Sequence, residues 1–198
     1  MNETTPPIAP ARSVLLVMDY QAAILGSFSG SEELLAHVAA AVSTARDRGV
    51  QIGYVRVAFE DADYAAIPRT NKSFSAAAAE RRMCSTAPES AIHPAVGPQP
   101  GDLEVRKTRV GAFSTTDLDQ QLRARKIDTL ILAGISTSGV VLSTVRDAAD
   151  KDYRVYVLHD ACADRDCEVH DFLMRKVFPR QAYVVSTAAL PGLLGAAE

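Results

Sequence analysis

A three-layer α/β fold, with a mostly parallel six-stranded sheet flanked by helices, is predicted by two features of the sequence. Six apolar runs recur along the chain with amphipathic helical patterns between most of them, the alternation expected of parallel strands joined by crossover helices. The runs are continuous and β-branched rather than alternating, as in strands covered on both faces. A chain of 198 residues suffices for one sizeable core, so a single domain over 1–198 is expected.

The elements follow in order. Residues 1–11 are polar and Pro-rich, lack the basic and apolar regions of a secretion signal, and are expected to form a flexible tail. Strands are predicted at Val14 to Met18, Ile52 to Phe59, Leu103 to Val105, Thr129 to Ala133, Val155 to Leu158 and Tyr183 to Val185. Helices are predicted over Glu32 to Arg48, Thr116 to Arg125, Gly139 to Lys151 and Glu168 to Val177, where apolar residues recur three and four apart. Ser31 is placed to cap the first of these, ahead of Glu32 and Glu33, and Gly49 to end it. From Glu60 to Asp102 the rhythm breaks, with five prolines and a short Ala-rich stretch at Phe74 to Arg82. So long an excursion is expected to cover a pocket or to contact another subunit.

Composition narrows the function classes. With 47% hydrophobic and 23% charged residues the chain is of the ordinary globular kind. A formal charge of -3, with no dense Lys/Arg stripe, argues against nucleic acid as a partner. No apolar run reaches the ~20 residues of a membrane span. Cys84, Cys162 and Cys167 have no metal-type spacing, so free thiols in a reduced, cytoplasmic protein are expected.

The candidates for chemistry sit at predicted strand ends. Asp19 follows the first strand, where a carboxylate projects into the crevice of a parallel sheet, and burial there raises its pKa toward general acid or base use. The competing reading is a carboxylate that caps the next loop. Lys107, at the end of the third strand, can reach the same crevice and pair with Asp19, whereas Arg106 and Arg109 read as solvated. The fourth strand, Thr129-Leu-Ile-Leu-Ala133, runs into Gly134 and then Ile-Ser-Thr-Ser-Gly-Val-Val.

With Pro100 to Asp102 and the pair Ala112 and Phe113, these features resemble the isochorismatase-like superfamily of cysteine hydrolases, over nearly the whole chain. The resemblance implies a three-layer Rossmann-like fold and a triad made of the strand-one Asp, the strand-three Lys and a Cys six residues after the strand-four Gly. Asp19 and Lys107 match the first two positions, and the third is Val140. Valine has neither lone pair nor proton, so covalent catalysis from position 140 is excluded. The resemblance also implies a cis peptide bond at Ile135 to Ser136 and an oxyanion site using nearby backbone N–H groups, that of Val140 included.

Ser136, Thr137, Ser138, Ser143 and Thr144 lie close to position 140, but a serine needs a base, and helix capping or back-bonding is the commoner use of such hydroxyls. True isochorismatases work without the thiol, with the Asp as general acid and Gly at the corresponding position. They carry Tyr and His where this chain has Ser136 and Ser138, so isochorismate itself is not indicated. Nicotinamidase-like members bind a metal through Asp and two His after the second strand. Here Glu60, Asp61 and Asp63 occupy that region without histidine and read as a solvated acidic loop, so neither metal nor cofactor is expected. Of the four histidines, His159 stands at a strand end and can reach a pocket, whereas His37, His93 and His170 are scattered. Gln21, Phe28, Arg56 and Phe113 are the predicted pocket walls.

The leading expectation is a hydrolase acting on a small molecule through Asp19 and Lys107 without a covalent intermediate. Against it stand a catalytically silent relative that binds a small molecule or serves as a scaffold, and an amidase-type C–N hydrolase. The resemblance implies a homo-oligomer, dimer or tetramer.

Overall fold

A computed structural model describes residues 5–28 and 30–195. Six strands, β1 (Ser13–Met18), β2 (Gln51–Val57), β3 (Leu103–Lys107), β4 (Thr129–Ile135), β5 (Arg154–Ala163) and β6 (Tyr183–Val185), form one sheet in the order β3-β2-β1-β4-β5-β6. Every pairing is parallel. Eight α-helices accompany them among the described residues: α1 (Ala22–Leu25), α2 (Ser31–Asp47), α3 (Asp61–Ala65), α4 (Ser75–Ala79), α5 (Leu118–Ala124), α6 (Leu142–Asp150), α7 (Cys167–Phe172) and α8 (Leu190–Leu193). The sheet reverses its winding between β1 and β4, and a crevice opens beyond the strand ends at such a point.

Alternation within β1 divides the core. Val14, Leu16 and Met18 join the cluster that takes in Leu118 and Leu122 of α5 and Val145 and Ala148 of α6. Leu15 and Val17 face the other way, onto Leu34, Val38 and Val42 of α2 and Leu190 of α8. Because β1 and β4 are central, both faces are apolar, and all thirteen of their residues are buried.

Several boundaries differ from the sequence reading. Residues 5–11 do not behave as a free tail: Ile8 is buried, its N–H donates to Leu193 O at 2.8 Å, and the Tyr156 hydroxyl donates to Pro6 O at 2.9 Å. The part of the predicted tail at 1–4 lies outside the described residues. Gly30, at φ 77°, is the N-cap of α2, and Ser31 is its first residue. Gly49, at φ 73°, ends the same helix in the left-handed conformation that favours glycine.

β5 runs on to Ala163, because its register against β4 jumps from Leu132 opposite Val157 to Gly134 opposite Cys162. The extra residues in that bulge turn His159 out to solvent. At the start of the crossover after β4, residues Thr137–Val141 form a wide turn closed by Val141 N–H to Ser136 O at 3.3 Å. The regular helix α6 therefore begins at Leu142, three residues beyond the predicted Gly139. Asp166 caps α7 by accepting from Glu168 and Val169, and this helix also gives way to a wide turn, at Leu173–Val177.

Candidate active site

Asp19 is the first residue beyond β1, and its N–H prolongs the sheet by donating to Val55 O at 2.8 Å. Its φ of 63° is left-handed, a conformation Asp tolerates better than most residues, and the Gln21 N–H donates back to Asp19 O at 2.8 Å. Lys107, two strands away at the end of β3, extends past the end of β2 to place Nζ 2.8 Å from Asp19 Oδ2. Both side chains are buried, and Nζ also donates to Arg109 O at 3.1 Å. The other carboxylate oxygen, Asp19 Oδ1, is buried without a hydrogen-bond partner. Burial raises the Asp19 pKa, and the opposing pulls of Lys107 and, more weakly, of the Val57 N–H only partly offset it.

On the other side of the crevice the Ile135–Ser136 peptide bond is cis. Ser136 O accepts from the N–H groups of Gly139 (3.1 Å) and Val141 (3.3 Å), while the Ser138 N–H donates to Asp164 Oδ2 at 2.6 Å. Val140 is buried and belongs to the apolar cluster of Met18, Leu132 and Val141. Gly139 passes close under Ser136, where a Cβ would stand 2.7 Å from the Ser136 hydroxyl.

A cavity of about 520 Å³ opens over these strand ends. Val57 lines it from β2, and Ile135, Ser136 and Ser138 line it from β4 and the turn beyond. β1 lies between those strands, so the Asp19–Lys107 pair sits beneath the cavity rather than in its wall. Phe28 is part of that wall, as are Ser73, Phe74, Ala77, Arg82 and Met83 of the long excursion and Asp164 and Arg165 after β5. The excursion therefore covers the pocket.

Three of the predicted pocket residues do other work. Gln21 is fully buried as a clamp: Oε1 accepts from Val57 N–H at 2.9 Å, and Nε2 donates to Val57 O (2.9 Å) and Ser90 O (2.7 Å). Arg56 reaches the same segment, donating to Ser85 O (3.3 Å) and Ser90 O (3.4 Å). Phe113 stacks on Tyr153, with ring centroids 5.9 Å apart, against the core. Backbone carbonyls of the excursion, far away in sequence, satisfy the polar groups that the sequence alone assigns to a ligand.

The remaining candidates are placed as follows. Arg106 pairs with Asp63 and Glu60, and Arg81 with Asp61, so the acidic loop is tied down by cations. Among the described residues no group of three metal-ligating side chains comes together. Thr137 Oγ1 lies 2.8 Å from His170 Nδ1, and Thr144 Oγ1 accepts from Ala112 N–H at 3.2 Å. No helix of the described residues is long and apolar enough to cross a membrane. Asp164, Arg165 and Arg82 escape a reading of the sequence. The first two would have been found by extending β5 from Leu158 to Ala163, since they follow its true end.

Burial also governs the thiols. Cys162 donates weakly to Leu132 O at 3.9 Å, and desolvation pushes its pKa up to about 12. The Thr86 hydroxyl and N–H hold the half-buried Cys84 thiol below its ordinary value, and Cys167 is exposed. Because the thiolate is the reactive form, iodoacetamide at neutral pH is expected to label Cys84 and Cys167 and to spare Cys162 until the chain is unfolded. Peptide mapping by mass spectrometry checks this, and early labelling of Cys162 would contradict the packing around it.

The likeness to known proteins spans the chain. The isochorismatase domain family matches residues 13–189. The uncharacterized isochorismatase family protein YwoC of Bacillus subtilis is 34% identical over 169 residues, covering 85% of this chain and 87% of YwoC. A ureidoacrylate amidohydrolase, RutB of Methylobacterium radiotolerans, is 30% identical over 213 residues, covering 96% of this chain and 83% of RutB. An isochorismatase family protein of Burkholderia thailandensis superposes with a TM-score of 0.82 at 29% identity, over 97% of this chain and 100% of that one. With its six parallel strands, its crevice between β1 and β4 and its match to the domain over 13–189, the chain belongs to the isochorismatase family of hydrolases.

Proposed function

We propose that this protein hydrolyses a small anionic molecule by acid–base catalysis from Asp19, with Lys107 fixing the carboxylate and no covalent intermediate. The observation that carries the reading is the asymmetry of Asp19: Oδ2 is held by Lys107, while Oδ1 is buried and unpartnered. A buried carboxylate oxygen with no protein partner is where a water molecule or a substrate atom belongs. Asp19 Oδ1 takes a proton from that water as the water oxygen bonds to the substrate's electrophilic carbon. The same proton then passes to the leaving group as its bond to carbon breaks. Burial moves the Asp19 pKa up from 3.8, toward the range in which a carboxyl group both accepts and returns a proton.

Arg165 and Arg82, the latter paired with Glu80, outnumber Asp164 in the cavity wall and favour a negatively charged substrate. RutB, at 30% identity, is named for ureidoacrylate, a small carboxylate with a C–N bond to cleave. Small ureido acids and amides of that size are therefore the leading substrate class. One observation favours a silent binding protein instead: Val140 packs in the apolar cluster, and the Asp19–Lys107 pair is almost sealed from solvent.

Turnover of a panel containing ureidoacrylate, other ureido acids and isochorismate separates the two readings, with intact-mass spectrometry during the reaction. Hydrolysis of a panel member is expected, with no mass adduct on the protein and a single ¹⁸O atom from labelled water in the product. Saturable binding of panel members without any turnover would establish the silent reading.

A further inference from the structure

A second cavity, of about 750 Å³, lies across Ser73 and Phe74, which form a wall common to both. It is bounded by the loop after β3, by α6 and by the Leu173–Val177 turn, and it contains neither Asp19 nor the cis bond. Two guanidinium groups line it, Arg109 and Arg146. Neither forms an ion pair among the described residues, whereas Arg12, Arg46, Arg81, Arg82, Arg106, Arg123 and Arg175 do. Arg109 spends one donor on Thr108 O at 2.7 Å, and Arg146 one on the Gln181 side chain. A guanidinium has five N–H donors in a planar fork that matches a carboxylate, so both retain donors to offer an anion. Asp147 lines the same cavity and pairs with neither arginine, which leaves a net positive charge there.

The rest of the lining completes a binding site. Ser114 and Ser143 supply hydroxyl donors, while Val110, Leu142, Leu173 and Val177 give an apolar floor. Inorganic anions leave such a floor unused. A molecule with a carboxylate on an apolar body meets both halves of the lining. From this composition we infer that the second cavity binds a small organic carboxylate, at a site distinct from the reaction cavity. Binding there also touches the catalytic pair, because the carbonyl of Arg109 is the second acceptor for Lys107 Nζ.

Isothermal titration of the full chain with benzoate, hexanoate and inorganic phosphate tests the inference. Saturable binding of both carboxylates is expected, weakened about tenfold or more by Arg109→Gln and by Arg146→Gln, the loss of one charge-assisted hydrogen bond. Arg165→Gln, in the other cavity, is expected to leave the binding event that depends on Arg109 and Arg146 unchanged, and phosphate to bind there at least tenfold more weakly than hexanoate. Arg146 is exposed, so its variant is expected to fold as the native chain does; Ser143→Leu, which fills the cavity without altering charge, is expected to give an independent second loss of binding. Absence of carboxylate binding overturns the inference, and so does phosphate binding of equal strength. Sensitivity to Arg165→Gln with indifference to Arg109→Gln and Arg146→Gln would assign the carboxylates to the reaction cavity and overturn it equally. None of these outcomes depends on whether the protein turns over a substrate.

Discussion

Asp19→Asn is expected to lower kcat/KM by about 10²–10⁴-fold, the contribution of a positioned acid–base group, and to destabilise the fold at the same time. The second effect follows from the burial of Lys107. Without the Asp19 charge, its ammonium keeps only neutral acceptors, the Arg109 carbonyl and the Asn amide oxygen, in a site shielded from bulk solvent. Breaking such a pair from one side costs about 3–5 kcal/mol. Lys107→Met leaves the opposite problem, a buried carboxylate that must hold its proton, and a similar loss of activity is expected. The double variant Asp19→Asn/Lys107→Met removes both charges together, and its stability loss is expected to fall short of the sum of the single losses by about 1–3 kcal/mol.

Urea denaturation supplies the stabilities, and steady-state kinetics on the substrate found in the panel supplies the rates. Activity must stay lost in the double variant while the two stability losses prove less than additive. Undiminished turnover by Asp19→Asn would remove the proposed mechanism altogether. The pH dependence has a definite sign. Between the ordinary Asp value of 3.8 and its raised value in the native state, the folded chain holds a proton that the unfolded chain has released. Stability contributed by Asp19 therefore falls as pH rises through that interval and levels off above it. Asp19→Asn is expected to abolish that portion of the slope.

Val140→Cys is expected to add a covalent, thiol-dependent amidase activity to whatever hydrolysis the native chain performs. The substitution removes about one methyl group from a buried site, so its cost in stability is about 1 kcal/mol. It supplies a thiol where the resemblance expects one, on the turn after β4 and in the same apolar cluster as Met18, the residue before Asp19. A nearby ammonium lowers a thiol pKa and makes its sulfur a nucleophile. Hydrolysis of small amides and ureides is expected to exceed that of the native chain by about 10²-fold or more, the scale on which a positioned catalytic group acts. The measurement is made in a Cys84→Ser/Cys167→Ser background, where iodoacetamide must inactivate the new activity and label position 140. Resistance to iodoacetamide, as expected for the buried Cys162, would show that the side chain at 140 stays in the apolar cluster and that the turn has lost the geometry of covalent catalysis.

Most of the architecture was legible because burial on both faces leaves a plain mark. β1 and β4 read as unbroken apolar runs, and the position of Asp19 follows from where the first of them stops, whereas Lys107 ends β3 two residues past its short apolar run. Strand ends were harder where the chain bulges: the step from Val157 to Cys162 opposite two β4 residues hides the second half of β5, and with it Asp164 and Arg165. Helix starts moved for a related reason, since the wide turn at Thr137–Val141 has apolar spacing that also fits an ordinary helix. The tail at 5–11 misled because its polar, Pro-rich composition gives no hint that Ile8 docks beside α8.

By itself the sequence determined the parallel α/β fold, the pairing candidates Asp19 and Lys107, and the absence of a nucleophile at position 140. Each is a property of residue type and local period, which the order of the chain records directly. The tertiary structure alone decided that Asp19 presents one bound and one free oxygen, that Gln21 and Arg56 clamp the excursion instead of lining the cavity, and that Arg109 and Arg146 meet across a second pocket. Whether a polar group faces a ligand or a distant carbonyl depends on which backbone segments fold over it, and those partners lie up to 69 residues away along the chain.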